Sequence, residues 1–391
     1  MKRHSNSETI KICGITTRPE TARVMLSSFY YVSGFNYEPF IICQPSESFS
    51  RGLGPEIKYI PVKMNRGAVN ILEVIKSISA LCRIFRKERF TVVQYASSNA
   101  GLYAAVAGWL TKVPVRIFCQ WGIPYTDYSG MKRLFFKFME KLTCTLSTSV
   151  QPDSLLNLEW AIKEGLYPRK KGHVLGKGSA QGVNLSRFAI GKKDAWRLSI
   201  RNQFGIPDSA TVFCFMGRIV PQKGVNELLG AFLKLNKKDA YLLIVGSPDE
   251  VDLLDQKLLN EAKLTNYIIF TGGVSDPERF HGGADFFVLP SYREGFPNTI
   301  LEAGALGIPS IVTNINGMID LVKDGQTGFI CELYSTDSLY SAMNRAYEMS
   351  ADEYKRMSEQ VFDVVKNDFD SNYVNRCFKR NRDELVENSV G

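Results

Sequence analysis

Short apolar runs recur along the whole chain, separated by stretches in which apolar residues return every three or four positions. In the first half the runs fall at residues 9–15, 39–43, 57–62, 91–95, 113–118 and 145–150; in the second half they fall at 212–216, 241–245, 267–270, 286–289, 309–313 and 328–331. Runs of this length, rich in Val, Ile and Phe and bounded by turn residues, read as strands buried on both faces. Several intervening stretches read as helix. Residues 71–89 set Ile71, Val74, Ile75, Ile78, Leu81, Cys82 and Phe85 at helical spacing, and residues 193–204, the segment from Val225, residues 298–305 and the chain from Thr336 onward also fit a helix. Strand alternating with helix predicts α/β domains with doubly wound parallel sheets.

At 391 residues the chain exceeds the size at which one hydrophobic core stops growing, so two domains are expected. With 45% hydrophobic and 23% charged residues it has enough apolar side chain for sizeable cores and no signature of disorder. Eight cysteines stand singly at 13, 43, 82, 119, 144, 214, 331 and 377, without a CxxC or a Cys/His ligand spacing. They read as buried reduced thiols of a cytosolic protein. The start, MKRHSNSETIKICGI, is too polar for a secretory signal, and the longest apolar stretch, near residues 104–110, falls short of the roughly 20 residues a membrane-spanning helix needs. Any membrane contact is therefore expected to be peripheral.

The net charge of +8 conceals an asymmetry. Residues 1–188 hold 26 Lys and Arg against 12 Asp and Glu, a balance of +14, whereas the remainder holds 22 against 28, a balance of −6. One half is thus expected to face a polyanion. No nucleic-acid motif accompanies the basic residues, so the expected partner is an anionic lipid surface and not nucleic acid. The charge concentrates in two segments. Residues 71–89 end in Arg83, Arg86, Lys87 and Arg89, and their apolar face is expected to be core. In residues 131–142, Arg133, Lys137 and Lys141 recur every four positions beside Leu134, Phe135, Phe138 and Leu142. Such a helix either lies in a membrane interface or buries its phenylalanines and solvates its cations.

The chemistry concentrates in residues 291–312, SYREGFPNTILEAGALGIPSIV, which hold Glu294 and Glu302 with seven residues between them. The apolar run 286–289 precedes this stretch, Gly295-Phe296-Pro297 marks a turn, and a helix follows. A strand-loop-helix junction of this kind brings a helix N-terminus to the carboxyl edge of a sheet, where a phosphate can bind. Two glutamates alone recur in many proteins. With the intervening Gly-Phe-Pro, the following Ala-Gly-Ala-Leu-Gly-Ile-Pro and the strand after it, the stretch resembles the retaining GT-B glycosyltransferases of family 4, which carry a Glu-x7-Glu signature.

The resemblance implies a GT-B architecture of two Rossmann-like domains with a cleft between them. Residues 1–188 would hold the acceptor, 189–365 would hold the sugar nucleotide, and 366–391 would form a helical tail crossing back to the first domain. It further implies that Glu302 binds the ribose hydroxyls, that Glu294 touches the donor sugar near its reacting carbon, and that the backbone at Gly295, Phe296, Pro297, Asn298 and Thr299 meets the sugar and the diphosphate. After run 212–216 comes Gly217-Arg218-Ile219-Val220-Pro221-Gln222-Lys223-Gly224. Arg218 offers a fork of donors for phosphate oxygens and Lys223 a compact cation. Alone, such a pair is ordinarily solvated; the family places it on the donor diphosphate, and Gly217 and Gly224 match the spacing. The catalytic set implied is Glu294, Arg218 and Lys223. The loop ending in Val274 lies where relatives read the base through the backbone.

The first half resembles the family in outline, with departures. Its first loop has Gly14 where many relatives have a glycine pair, and Gln120 and Trp121 stand where many have histidines near the donor sugar. A neutral amide can still hydrogen-bond a sugar hydroxyl, and an indole gives it a flat wall. The three histidines, His4, His173 and His281, read as structural or solvated. Residues 178–188 resemble the family's interdomain entry. Asp368-Phe369-Asp370 lies in a helical tail, so metal binding is not expected there, nor is any cofactor beyond the donor substrate.

Segments 116–122 and 150–154 look like those of bacterial enzymes that extend lipid-linked sugars for capsule, exopolysaccharide or O-antigen. The implied activity is transfer, with retention, of a hexosyl or N-acetylhexosaminyl group from a UDP-linked donor to a glycan hydroxyl. The implied acceptor is undecaprenyl-diphosphate-linked and met at the inner face of the plasma membrane. Two other readings stay open: a GT-B epimerase of UDP-N-acetylglucosamine, and a non-catalytic module that binds sugar nucleotides or polyanions.

Overall fold

The computed structural model describes residues 9–64 and 70–390; His4 lies outside the described residues. The chain divides into two compact units, one made of Met1–Gln181 with Ser371–Gly391 and one made of Gly182–Asp370. The first contains β1 (Ile10–Ile15), α1 (Pro19–Ser33), β2 (Tyr37–Cys43), α2 (Glu47–Arg51), β3 (Lys58–Pro61), α3 (Ile71–Glu88) and β4 (Val92–Tyr95). It continues with α4 (Ser98–Leu110), β5 (Val115–Gln120), α5 (Gly130–Leu146), β6 (Ser149–Pro152) and α6 (Leu155–Lys163). The second contains α7 (Lys193–Phe204), β7 (Thr211–Met216), α8 (Val225–Leu235), β8 (Ala240–Val245), α9 (Gln256–Leu264) and β9 (Ile268–Gly272). It is completed by α10 (Pro277–Gly282), β10 (Phe286–Leu289), α11 (Asn298–Gly304), β11 (Ser310–Thr313), β12 (Gly328–Cys331), α12 (Thr336–Tyr347) and α13 (Ala351–Asp368). The last helix, α14 (Ser371–Val390), belongs to the first unit.

Each unit is built on one parallel six-stranded sheet, in the order β3-β2-β1-β4-β5-β6 in the first and β12-β11-β10-β7-β8-β9 in the second. Both are the doubly wound order, in which helices cover both faces. In the first unit Ile12, Ile41, Val92 and Ile117 pack on one side with Phe29 of α1 and Phe378 of α14. Their neighbours Cys13, Ile42, Val93 and Phe118 pack on the other with Leu81 and Phe85 of α3 and Tyr103 of α4. Successive residues face opposite sides and both sides are dry, which is why the strands read as unbroken apolar runs and not as alternation.

All twelve expected strands form. The largest displacement is at residues 145–150: α5 runs to Leu146 and the strand begins only at Ser149. The β-branched Thr143 and Thr145 suggest a strand, but in the helix their hydroxyls donate to the carbonyls of Met139 (3.0 Å) and Lys141 (2.7 Å), one turn back. Residues 182–188 fall in the second unit and not the first: Val183 donates to the Phe369 carbonyl at 2.8 Å, and Val183 and Phe188 join the second core. Phe369, between the two aspartates of Asp368-Phe369-Asp370, is buried against the ring of Phe296.

α14 is held to its unit by polar contacts as well as by Phe378. Asn375 accepts from the Ser28 hydroxyl (2.8 Å) and donates to Ser27 (3.0 Å), and the Tyr37 hydroxyl donates to Asp383 (2.7 Å). Arg382 is fully buried and donates to the side-chain oxygens of Gln94 on β4 (2.8 Å) and Gln151 on β6. Neutral amides replace water there but supply no counter-charge, and burial lowers its pKa to about 10.

Candidate active site

In the second unit β7 is central. The chain passes outward through β8 and β9 on one side and then crosses to β10, β11 and β12 on the other. The crossovers leaving β7 and β10 therefore run in opposite directions, and the crevice outside their carboxyl ends is the switch point at which such sheets bind ligands. Residues 217–224 follow β7 and residues 290–297 follow β10. The two loops touch: the Tyr292 N–H donates to the Gln222 carbonyl at 2.9 Å, and a Cβ at Gly224 (φ 68°) would lie 2.0 Å from the Pro290 carbonyl oxygen. A similar approach occurs at Gly317 (φ 84°), where a Cβ would stand 1.7 Å from the carbonyl oxygen of Gly295. Only a residue without a side chain fits either place.

Residues 221–223 make a single 3-10 turn that brings Lys223 to the second loop, where its Nζ pairs with Oε1 of Glu294. The two side chains keep 22% and 13% of their surface exposed, so the pair is accessible from the crevice. Arg218, at the start of the first loop, is exposed, and its guanidinium stands 3.8 Å from Oδ2 of Asp249. The N–H of Gly217 is taken by the Val245 carbonyl (2.9 Å), which extends the β7–β8 ladder. Phe296 and Pro297 are buried, and α11 begins at the next residue, so that its first turn lies directly beside the loop; within that turn the Ile300 N–H donates to the Pro297 carbonyl at 3.1 Å. Asn298 keeps its side-chain oxygen buried without a hydrogen-bond partner, and Thr299 is half-buried. One turn further along α11, Glu302 is half-buried, with Oε2 3.5 Å from Nε2 of His281. Val274 is half-buried in the loop after β9.

The fold therefore brings Lys223 and Glu294 into contact, whereas Arg218 and Glu302 stand against Asp249 and His281, neighbours that the sequence does not suggest. Cations and helix N–H groups around one crevice suit an oxyanion leaving group, and carboxylates at its rim suit sugar hydroxyls.

Residues 197–363 match the family described as Glycosyl transferases group 1. The chain is similar to the capsular polysaccharide biosynthesis glycosyltransferase CapM of Staphylococcus aureus, at 28% identity over 324 residues, 82% of this chain and 83% of that protein. It is similar also to the UDP-Gal:alpha-D-GlcNAc-diphosphoundecaprenol alpha-1,3-galactosyltransferase of Escherichia coli, at 27% identity over 351 residues, 87% of this chain and 89% of that protein. The crystal structure of a glycosyltransferase from Rickettsia africae ESF-5 matches with a TM-score of 0.79 at 21% identity, covering 97% of this chain and 99% of that one. The chain is a glycosyltransferase. Its two six-stranded sheets are those of the GT-B fold.

The first unit of this glycosyltransferase departs from expectation at its own carboxyl edge. Gln120 is 1% exposed, its amide nitrogen donates to Oε1 of Glu140 (2.7 Å), and its oxygen accepts from the Tyr167 hydroxyl (3.0 Å). With both ends engaged beneath the surface, it is not the free amide that the sequence suggested for a sugar. Trp121 is half-buried, with its indole N–H buried and unpartnered. Gly14 lies within β1, where a Cβ would meet Sδ of Met25 at 2.6 Å; it serves the packing of α1 on the sheet and not approach to a ligand. Burial raises the Glu140 carboxyl to about 7 despite the hydrogen bond from Gln120, which acts in the other direction. At the β1/β4 switch point Thr17 Oγ1 and Ser97 Oγ are 3.0 Å apart, and Ser97 has φ 69°, strain that no sequence pattern announces.

The surface of α5 is apolar and basic together. Met131, Leu134, Phe135 and Phe138 are 81%, 60%, 57% and 61% exposed, while Lys132, Arg133 and Lys141 are exposed beside them. Lys137 is different: its Nζ lies 2.6 Å from Oε2 of Glu164, and that contact holds the Glu164 carboxyl below its usual range. The apolar face of α3 is core only in its later turns, with Leu81, Cys82 and Phe85 buried but Ile71, Leu72 and Ile75 exposed. Both helices follow strands of a parallel sheet, so their first turns lie on its carboxyl-edge side. Among the described residues no helix is long and apolar enough to cross a membrane.

Proposed function

We propose that this glycosyltransferase moves a hexosyl or N-acetylhexosaminyl group, with retention, from a UDP-linked sugar to a hydroxyl of a lipid-linked glycan during synthesis of a bacterial surface polysaccharide. The observation that carries the reading is the Lys223–Glu294 pair at the β7/β10 switch point, one short helix from Glu302. In this reading Glu302 holds the ribose hydroxyls, Glu294 meets the donor sugar, and Arg218, Lys223 and the first turn of α11 take the diphosphate. The backbone from Gly295 to Thr299, and that at Gly217 and Val274, completes the donor's surroundings. The UDP-Gal and diphosphoundecaprenol for which the Escherichia coli relative is named support the choice of donor and acceptor.

The chemistry follows from the charges. The acceptor oxygen attacks the anomeric carbon on the face from which the diphosphate leaves, the C–O bond to the diphosphate breaks, and the acceptor proton passes to a departing phosphate oxygen. No covalent glycosyl-enzyme is needed. Positive charge on Lys223 and Arg218 stabilises the leaving group as its charge develops. The exposed apolar and basic residues of α5, with the first turn of α3, support peripheral binding to an anionic membrane, where a lipid-linked acceptor resides. Incubation with a panel of sugar nucleotides, reading the rise in melting temperature, tests the donor assignment. Stabilisation by no nucleoside-diphosphate sugar would refute it, and release of a new sugar from donor alone would mark an epimerase.

A further inference from the structure

His281 is 0% exposed, and neither of its ring nitrogens has a hydrogen-bond partner. An imidazole always carries at least one N–H, and leaving a buried donor unused is costly, so a buried histidine of this kind calls for a reason. It lies on α10, with Phe188 and Phe287 against its ring at centroid distances of 6.1 and 5.1 Å. These rings leave it little room to turn. Its Nε2 stands 3.5 Å from Oε2 of Glu302, whose side chain keeps 22% of its surface exposed. The carboxylate thus has a buried side, facing the imidazole, and an open side.

We infer that His281 is a positioning residue for the donor's ribose, an inference resting on the assignment of Glu302 to the ribose hydroxyls. The proton sits on Nε2 and is directed at Oε2 of Glu302. A closing movement of about half an ångström makes a hydrogen bond of ordinary length. A carboxylate on a short helix can swing about its last bonds. One held from behind by a ring with little room to turn presents its remaining lone pairs to two vicinal hydroxyls in a preferred orientation. As ribose displaces water from the open side, the N–H also replaces part of the solvation that the carboxylate loses. Neither effect requires His281 to touch the substrate.

The test compares UDP with 2′,3′-dideoxyuridine diphosphate, which lacks both hydroxyls, by calorimetry on the full chain. The variants are His281→Phe, which keeps a ring in the apolar site but removes the donor, His281→Gln, whose amide N–H can stand near Nε2, and Glu302→Gln. His281→Phe is expected to weaken UDP roughly tenfold and leave the dideoxy compound unchanged, so that discrimination between the two collapses toward that of Glu302→Gln. His281→Gln is expected to recover most of it. Where His281→Phe does not fold, His281→Leu serves the same comparison. Equal weakening of both ligands, no change in either, or a His281→Gln variant no better than His281→Phe would overturn the positioning role. If Glu302→Gln itself still discriminates like the parent, or the parent does not bind UDP, the assignment of Glu302 fails and the inference falls with it.

Discussion

Lys223 and Glu294 reach each other from two loops that are 71 residues apart in sequence, and their ion pair closes over the carboxyl ends of β7 and β10. Each is the other's ionic partner. In the proposed reading, a diphosphate arriving at Lys223 would compete with Glu294 for the ammonium and release Glu294 toward the sugar. The two substitutions should consequently differ in sign. Lys223→Met weakens UDP binding by roughly tenfold, because a charged hydrogen bond to phosphate is lost. Glu294→Gln leaves UDP affinity equal or tighter, since the lysine no longer has a competitor, yet lowers turnover by on the order of a hundredfold. Calorimetry with UDP beside a turnover assay separates the two effects. A Glu294→Gln enzyme with parental turnover would remove Glu294 from the chemistry.

The contrast between what was legible and what was not follows from the range of the interactions. A strand such as β10 is four apolar residues in a row, and Glu-x7-Glu is a spacing along one loop and one helix, so both are written in consecutive residues. The contacts that complete the site are not. His281 meets Glu302 and Asp249 meets Arg218 only because separate strand-to-helix crossovers end side by side. Gln120 looked free because its sequence neighbours are strand residues, and its partners Glu140 and Tyr167 come from α5 and from the segment after α6. The α5 surface was legible as composition but not as exposure: the same helix carries both phenylalanines that face solvent and a lysine tied to Glu164.

Glu140 gives the stability a pH dependence that can be checked. Its carboxyl is raised by burial to about 7, so between roughly pH 4.5 and 7 the folded chain holds a proton that the unfolded chain releases. Stability from this group is therefore fully present below about pH 4.5, declines as pH rises through about 7, and is level above. Glu140→Gln mimics the protonated form, keeping an oxygen to accept from Gln120. It is expected to raise stability at pH 8 by up to about 3 kcal/mol and to change it little at pH 4.5. Urea denaturation at both pH values measures this, and an equal change at each would show that Glu140 is not the group that titrates.

Metal dependence bears on the diphosphate. If Lys223, Arg218 and the first turn of α11 neutralise the leaving group, no divalent ion is required there, and transfer should continue in EDTA at the parental rate. Activity lost in chelator and restored by magnesium or manganese would mean that the cationic side chains are insufficient.

The membrane prediction rests on which α5 side chains are exposed. The sequence pointed to Arg133, Lys137 and Lys141, but Lys137 is held by Glu164, and the exposed cations are Lys132, Arg133 and Lys141. Each cation near an anionic surface contributes roughly 1 kcal/mol within a Debye length of about 8 Å at physiological salt, whereas buried apolar side chains are not screened at all. The two contributions should therefore respond differently to salt. The protein is expected to sediment with anionic liposomes and to be released progressively as salt rises. The variant with Lys132, Arg133 and Lys141 replaced by glutamate is expected to lose binding at low salt. A second variant, with Leu134, Phe135 and Phe138 replaced by serine, should still bind at low salt but detach at a lower salt concentration than the parent, because only the screened part of the attraction remains. Both should bind UDP like the parent, since every residue assigned to the donor lies in the other unit. Parental sedimentation by both variants would show that the α5 face is solvated and that the lipid-linked acceptor must reach the enzyme by another surface.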